Sequence, residues 1–177
     1  MADYNKAWSW LLPDEGGSQF TDDPIDHGGA TKYGITLNSY TAWCAKHGML
    51  PPTVDDLKAM TEQTAQTIAK EFYWNVICGD SLKNDSIALA LFNIAYLASP
   101  SKSIQLMQDA AGIKKERQDG ICGPNTIELI NALPAGDLLT HFVINVQNHF
   151  VDIVIKDPSQ IRFLRGWLKR SQRLLFL

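Results

Sequence analysis

Residues 14–36 read DEGGSQFTDDPIDHGGATKYGIT, and they are the part of the chain least suited to a regular helix. They hold five acidic residues, five glycines and one proline, and both glycine and proline disfavour a helix interior. The turn-forming groups at 22–24 and 27–29 predict a small irregular β-hairpin. Because functional residues often lie on loops that a rigid scaffold holds, this hairpin is the first place to look for a site.

The sequence on either side of the hairpin has helical periodicity. Residues 87–97 (IALALFNIAYL) are apolar nearly all round, which predicts a buried central helix. Capping residues, prolines and glycines predict the remaining boundaries. The predicted helices are 8–15 ended by Gly16-Gly17, 61–73 capped by Thr61, 87–97 capped by Ser86, 101–112 opened by Ser101, a short helix after Gly123-Pro124, 137–155 and 160–174. We therefore predict a mainly α fold of the α+β class, with one hairpin near its start.

Composition and charge restrict the class of protein. The chain has 177 residues, of which 45% are apolar and 20% charged, as in an ordinary globular domain. A net charge of −3 does not favour nucleic-acid binding, and no apolar run approaches the ~18 residues of a membrane span. The three cysteines are widely spaced, and no Cys or His pair has metal-ligand spacing. We therefore expect free thiols, no metal and no cofactor.

Glu15 is the first candidate for chemistry. If 8–15 is helical, Glu15 lies in its last turn, where the negative end of the helix dipole raises the pKa of a carboxyl group. A carboxylic acid that stays protonated near neutral pH can donate a proton to the leaving oxygen of a glycosidic bond. Pro13 opposes a helix through this position, and Glu-Gly-Gly alone is more often a surface glutamate beside a glycine turn.

The motifs around Glu15 resemble those of glycoside hydrolase family 108, the N-acetylmuramidases found as phage endolysins and bacterial secretion activators. Four blocks stand in the family's order: DEGG with DHGGATKYGIT (14–17 and 26–36), EFYW (71–74), DGICGPNT (119–126) and FLRGWLKR (163–170). The third block is similar to the family's peptidoglycan-binding region. The first also resembles phage lysozymes of the T4 type, in which a glutamate ends a helix and an aspartate and a threonine follow on a small sheet. The resemblance implies a lysozyme-like fold.

The resemblance also implies three catalytic residues and a reaction. Glu15 corresponds to the family's catalytic acid, Asp26 to a second carboxylate that activates or orients water, and Thr31 to a hydroxyl that positions this water. The implied reaction is hydrolysis of the β-1,4 bond between N-acetylmuramic acid and N-acetylglucosamine in bacterial peptidoglycan. Inversion or retention at the sugar depends on the distance between the two carboxylates.

Four further residues are candidates for substrate binding. Tyr33, Tyr73 and Trp74 have flat rings that suit pyranose faces, although rings at helical spacing more often belong to a core. Asn93 lies inside the apolar helix 87–97, so its amide requires hydrogen-bond partners. Those partners lie either across the active-site cleft or in a structural bond to the hairpin.

The chain departs from the family pattern at four positions. Ser18, His27, Lys32 and Asn93 stand where the family has an aromatic residue, a proline, an asparagine and an aspartate. Lys32 places a cation near Glu15, which would lower the pKa of the acid. These departures favour one alternative function, a non-catalytic peptidoglycan-binding or lysis-accessory protein. The other alternative is a lytic transglycosylase, which uses one glutamate and forms a 1,6-anhydro sugar; Asp26 favours hydrolysis.

Organisation and location complete the expectations from sequence. Residues 161–173 hold five basic residues and no acidic one, which predicts an amphipathic helix that packs on the core or contacts an outer membrane. We expect a catalytic part at 1–100 and a peptidoglycan-binding part at 101–177, packed as one compact monomer. Because the first residues lack a signal-peptide pattern, we expect synthesis in the host cytoplasm and action in the periplasm, as an endolysin or a delivered effector.

Overall fold

A computed structural model describes residues 1–13, 15, 17–22 and 29–177. Within these residues the protein is mainly α-helical, with a small three-stranded antiparallel sheet, so the predicted fold class is confirmed. The α-helices are α1 (Tyr4–Leu11), α2 (Leu37–Lys46), α3 (Val54–Ala59), α4 (Glu62–Ala69), α5 (Asp85–Leu97), α6 (Pro100–Ala110), α7 (Pro124–Ala132), α8 (Ala135–Lys156) and α9 (Ile161–Arg173). A π-helix at Lys70–Trp74 continues α4, and the strands are β1 (Phe20–Thr21), β2 (Thr31–Lys32) and β3 (Ile35–Thr36).

The sheet has the order β1-β2-β3 and lies where the sequence predicts a hairpin. Thr31 is paired with Thr21 on one side and with Thr36 on the other. Tyr33 (φ 54°) and Gly34 (φ 72°) connect β2 to β3, and two successive positive φ angles are typical of a tight hairpin turn. The turns predicted at 22–24 and 27–29 include residues 23–28, which lie outside the described residues.

The chain divides into two compact units, of which Tyr4–Asn75 is the N-terminal unit. It contains α1 to α4, the sheet and the π-helix. The Tyr4 hydroxyl donates to the Gln66 carbonyl (2.6 Å), and its ring meets Trp74 edge-on at 5.5 Å. The largest buried apolar side chains are those of Trp8, Leu11, Ile35, Leu57, Ile68 and Trp74. Both ends of this unit therefore contribute to its packing.

The C-terminal unit contains Met1–Asp3 and Val76–Leu177. The buried helix α5 packs on α6 and α8, and α9 packs on α8. Phe142 and Phe150 of α8 are buried, and the Phe150 ring stacks on Trp167 of α9 at 5.1 Å. By length and apolar character α8 could cross a membrane, although it packs on α5, α6 and α9 and about a third of its most apolar stretch is buried. The expectation that no part of the sequence approaches a membrane span is therefore not confirmed for α8.

Five predicted helix boundaries are wrong. Helix α1 begins at Tyr4 instead of residue 8, and it ends at Leu11 instead of residue 15, since Pro13 has no N–H to extend it. Helix 61–73 is α4 followed by the π-helix, in which the Asn75 N–H donates to the Lys70 carbonyl (2.8 Å). Asn84 instead of Ser86 caps α5, and Ser99 instead of Ser101 caps α6. The predicted Thr61 cap and the helix after Gly123-Pro124 are confirmed, and α8 and α9 agree within two residues.

Candidate active site

Glu15 lies in a tight turn just after α1. Its N–H donates to the Leu12 carbonyl (3.2 Å), which also accepts from the Gly17 N–H (3.1 Å). Gly17 has a φ of +60°, a conformation that glycine adopts without steric cost. The predicted place of Glu15 in the last turn of a helix is therefore wrong. The carboxylate stands on a half-buried loop residue whose backbone is held by Leu12.

Tyr73 of the π-helix lies within electrostatic range of Glu15. Burial raises the pKa of the Tyr73 phenol, the hydrogen bond with Ser39 lowers it, and the negative charge of Glu15 raises it. The Tyr73 and Ser39 hydroxyls are 3.3 Å apart. Ser39 is in the first turn of α2, and its N–H donates to the hydroxyl of the N-cap Thr36 (3.1 Å). Hydrogen bonds thus join the π-helix to the start of α2, and the charge of Glu15 acts on the Tyr73 phenol at longer range.

Thr31 is placed by the sheet. Its hydroxyl donates to the Gly29 carbonyl (2.8 Å), so the orientation of this side chain is defined and its lone pairs remain able to accept. Thr31 is half-buried in the central strand, next to Thr36, the N-cap of α2. Asp26, the predicted second carboxylate, lies outside the described residues.

Lys32 has a partner that the sequence does not predict. Its ammonium group donates to the carbonyl of Lys58 in the last turn of α3, where the helix dipole favours a cation. The same ammonium lies 5.4 Å from the centroid of the Tyr33 ring. The ammonium is thus held at the end of a helix, and the expected effect of its charge on Glu15 stays a prediction.

Two of the predicted sugar-binding residues are mainly buried. Trp74 has no exposed surface and packs on Tyr4, so it presents no ring face to a sugar and is a core residue, the alternative that the sequence left open. Tyr33 is 8% exposed. Tyr73 is half-buried, and the charge of Glu15 acts on its phenol.

Asn93 belongs to the C-terminal unit, whereas Glu15, Thr31, Tyr33, Tyr73 and Trp74 belong to the N-terminal unit. Asn93 is 1% exposed, and its side-chain oxygen accepts from Arg170 Nε of α9 (2.9 Å). Its Nδ2 has no hydrogen-bond partner among the described residues. Arg170 is a partner that the sequence analysis does not name, and both a bond with the hairpin and a role in substrate binding stay predictions.

Sequence reasoning missed a charged cluster on α2 and the π-helix. Glu71 accepts from Trp43 Nε1 (2.7 Å), contacts His47 Nε2 (2.9 Å) and pairs with Lys46 (2.5 Å). The hydrogen bonds with Lys46 and His47 lower the pKa of Glu71 to about 2. A carboxyl group with this pKa cannot act as a proton donor near neutral pH, so the cluster is structural. The signal was available, because Trp43 and His47 are four residues apart on one helix face.

The loop 119–126 is held by contacts inside the C-terminal unit. Gln108 donates to Asp119 (2.8 Å) and accepts from the Gly120 N–H (3.0 Å), and the first of these bonds is the main cause of a lowered Asp119 pKa. Gly120 has a φ of +71°, and a Cβ there would lie 2.8 Å from the Ser101 carbonyl oxygen. These residues of the motif are explained by the packing of the loop, and their predicted contact with peptidoglycan stays a prediction.

Comparison with known proteins gives matches along nearly the whole chain. A family model described as "Glycosyl hydrolase 108" matches residues 8–98, and one described as "Predicted Peptidoglycan domain" matches residues 102–172. Among solved structures, SagA of Brucella abortus is similar to this chain, with 28% sequence identity and a TM-score of 0.80. That match covers 97% of this chain and 91% of the other. No match is found among curated proteins.

Proposed function

The chain belongs to the glycosyl hydrolase 108 family, and from this premise we propose that it is an N-acetylmuramidase. The glycosyl hydrolase domain is followed by a peptidoglycan domain, which makes bacterial peptidoglycan the partner. The bond cleaved is the β-1,4 link between N-acetylmuramic acid and N-acetylglucosamine. The observation that carries this proposal is the position of Glu15, which is half-buried on a turn held by the Leu12 carbonyl and lies within electrostatic range of the Tyr73 phenol.

The proposed chemistry assigns one role to each residue. Glu15 donates a proton to the glycosidic oxygen as the bond to the anomeric carbon breaks. Asp26 stabilises the positive charge that develops on the sugar ring or takes a proton from the attacking water. Thr31 accepts a hydrogen bond from this water, since its own proton is directed to Gly29. Water adds to the anomeric carbon, and the product has a free reducing end.

The site of action forms part of the same proposal. Synthesis in a host cytoplasm and action in the periplasm suit an endolysin or an effector that a secretion machine delivers. The basic face of α9 supports contact with an anionic outer membrane, because Arg162, Arg165 and Lys169 are exposed on a helix that also exposes Ile161. The protein acts as a monomer in this scheme.

The experiment that tests the proposal is digestion of purified sacculi, with products identified by mass spectrometry. Wild type should release muropeptides with reducing-end N-acetylmuramic acid. Glu15→Gln should lose activity by about 10²–10⁴-fold, since it cannot donate a proton. Glu128→Gln is the matched control, because Glu128 is an exposed glutamate on α7 and should be dispensable.

Two outcomes would replace the proposal with one of the alternatives. Products with 1,6-anhydro-muramic acid would show a lytic transglycosylase. Wild-type protein that sediments with sacculi but releases nothing would show a binding or lysis-accessory protein. If Glu128→Gln lost as much activity as Glu15→Gln, the assignment of Glu15 as the catalytic acid would be wrong.

A further inference from the structure

The C-terminal unit has an open cleft of about 520 Å³ that neither the motifs nor the proposed chemistry uses. It is lined by α6, α8 and the segment 115–118, so it lies within one compact unit. Its volume is in the range of sites that bind small molecules. Its position inside the match to a peptidoglycan domain (102–172) raises the question of which part of the wall it fits.

The walls of the cleft carry charges of both signs and several primary amides. Two lysines, two aspartates and four amide side chains account for most of the lining: Lys102, Lys115, Asp109, Asp152, Gln105, Gln118, Asn145 and Asn148. None of the described residues that line it is Trp, Tyr or Phe. A flat ring is the usual platform for a pyranose face, so this lining does not suit a neutral sugar. It suits a ligand with carboxylates, an ammonium group and peptide bonds.

Several lining groups are held in place by hydrogen bonds within the unit. The Lys102 ammonium donates to Gln105 Oε1 (2.9 Å). Gln118 Nε2 donates to Asp109 Oδ1 (2.8 Å), and Asn145 Nδ2 donates to the Leu106 carbonyl (3.2 Å). These bonds give the cleft a defined polar surface, since each side chain involved has one preferred orientation.

Three other lining side chains are exposed and available to a ligand. Lys115, Asn148 and Asp152 make no side-chain hydrogen bond or ion pair within the part of the chain that the structure describes. Lys115 and Asp152 have opposite charges and come from different elements, the 3₁₀ turn at Lys115–Arg117 and α8. The cleft thus offers one cation and one anion that form no ion pair with another described residue.

The imidazole of His149, which also lines the cleft, is affected by both positive and negative side chains. Burial lowers the pKa of its imidazole, the positive charge of Lys102 lowers it further, Asp152 raises it and Lys156 lowers it. The ring therefore lies between a cation and an anion of the cleft, and it is mostly neutral at pH 7. A neutral imidazole adds a hydrogen-bond donor and an acceptor without changing the balance of charge.

We propose that this cleft binds the stem peptide of peptidoglycan. The carboxylates of the peptide would pair with Lys102 and Lys115, the free ammonium of its diamino acid with Asp152, and its peptide bonds with Asn145 and Asn148. This inference rests on the proposed function, because peptidoglycan is the substrate there. It assigns the peptide to the C-terminal unit, whereas the glycan strand is cleaved by residues of the N-terminal unit.

The experiment compares binding to soluble glycan strands that carry un-cross-linked stem peptides and to the same strands after an amidase has removed the peptides. Affinity is measured by isothermal titration calorimetry in the Glu15→Gln background, so that the strands stay intact. The reference protein should bind peptide-bearing strands at least about tenfold more tightly than stripped strands. Asp152→Asn and Lys115→Gln should each weaken binding to peptide-bearing strands by about tenfold, the loss expected for one charge-assisted contact. Neither change should alter binding to stripped strands.

Matched controls make the same change of charge outside the cleft. Asp137→Asn alters another exposed aspartate of α8, and Lys114→Gln alters the exposed neighbour of Lys115. Both controls should bind like the reference protein. Equal binding to peptide-bearing and stripped strands would overturn the inference, as would cleft variants that bind like their controls. Circular dichroism melting verifies that all variants are folded.

The failure of this inference and that of the proposed function give different results. If wild type releases reducing-end products but binding does not depend on the stem peptide, the cleft assignment fails and the muramidase stands. If binding depends on the peptide and on Asp152 but wild type releases nothing, the cleft assignment stands and the muramidase fails.

Discussion

At the scale of single residues, the conformation of the backbone around Glu15 determines the position of its carboxyl group. Pro13 ends α1 early, and the Leu12 carbonyl then accepts two N–H groups from the turn that carries Glu15. Glu15 is thereby half-buried on a loop, within electrostatic range of Tyr73, instead of on the surface of a helix. It therefore lies outside the last turn of α1, where the helix dipole would act on it most strongly.

The Thr31 hydroxyl is expected to matter for activity more than for folding. Thr31→Val keeps the β-branched shape but removes the bond to Gly29 and the acceptor that orients water. We predict a loss of sacculus hydrolysis of about 10-fold to 100-fold, with a loss of about 1 kcal/mol in the free energy of unfolding. Thr31→Ser, which keeps the hydroxyl, should recover most of the activity. Equal activity of Thr31→Val and wild type would remove Thr31 from the mechanism.

Glu71 makes the stability of the N-terminal unit depend on pH in the acidic range. Its pKa is about 2 in the folded protein and about 4.5 when unfolded, so between these values the unfolded state binds more protons. The stabilisation is therefore complete above pH 4.5 and is lost as the pH falls toward 2. Because the side chain is 22% exposed, solvent screening reduces it to about 1 kcal/mol.

Urea unfolding at several pH values tests this effect. Glu71→Gln should unfold more easily than wild type at pH 7, by about 1 kcal/mol, and the difference should shrink as the pH approaches 2. Glu128→Gln is the matched control, because Glu128 is an exposed glutamate of α7 outside the cluster, and it should change the free energy of unfolding by less than about 0.5 kcal/mol at each pH. A difference between wild type and Glu71→Gln that is constant with pH would contradict the ionic explanation.

At the scale of elements, the π-helix changes which residues face the core. A continuous α-helix from Thr61 would place Phe72 on the same buried face as Ala65, Ile68 and Ala69. The wider turn rotates the chain, so Phe72 is half-buried and Trp74 is fully buried. The same rotation places Glu71 against α2 and Tyr73 against Ser39.

The start of α5 gives a direct test of helix capping. The Asn84 side chain accepts from the Ile87 N–H (3.1 Å), whereas Ser86 lies in the first turn. Asn84→Ala should lower the free energy of unfolding by about 1 kcal/mol, measured by urea denaturation. Ser86→Ala is the matched control and should change it by less than about 0.5 kcal/mol. The reverse order of effects would restore Ser86 as the cap.

At the scale of the whole molecule, the compact units and the family matches divide the chain at different places. The compact units meet at Asn75 and Val76, whereas the family models match 8–98 and 102–172. Helix α5 causes the difference, because it belongs to the first family match and packs on α6 and α8 of the C-terminal unit. The predicted division at residue 100 therefore separates α5 from helices that it contacts.

Two fragments test which division describes a folding unit. Fragment 76–177 keeps α5, including Leu91, whose carbonyl accepts from the buried Ser103 hydroxyl (2.8 Å). It should be helical and melt cooperatively by circular dichroism. Fragment 101–177 lacks this helix and exposes the buried side chains Ile104, Met107 and Phe142, so it should bind a hydrophobic dye and show no cooperative transition. Cooperative melting of 101–177 would support the division at 100.

The sequence by itself determined the fold class, the hairpin, most helices and the family. These features depend on local patterns, namely apolar periodicity, the glycine-rich interruption at 14–36 and motifs in a constant order. Helix ends were less determined, because Asn84 and Ser86 are both suitable caps and only packing selects one. For the candidate site, the motif identified Glu15 and Thr31, but not the neighbours that act on them.

Only the tertiary structure decided the surroundings of those residues. In the folded protein Trp74 is buried, and Asn93 accepts a hydrogen bond from Arg170. The Lys32 ammonium donates to a carbonyl of α3. Lys115 and Asp152 are 37 positions apart in sequence, yet they line the same cleft. The physical reason is that burial and pairing depend on contacts between distant segments, whereas periodicity and capping depend on residues within a few positions of each other.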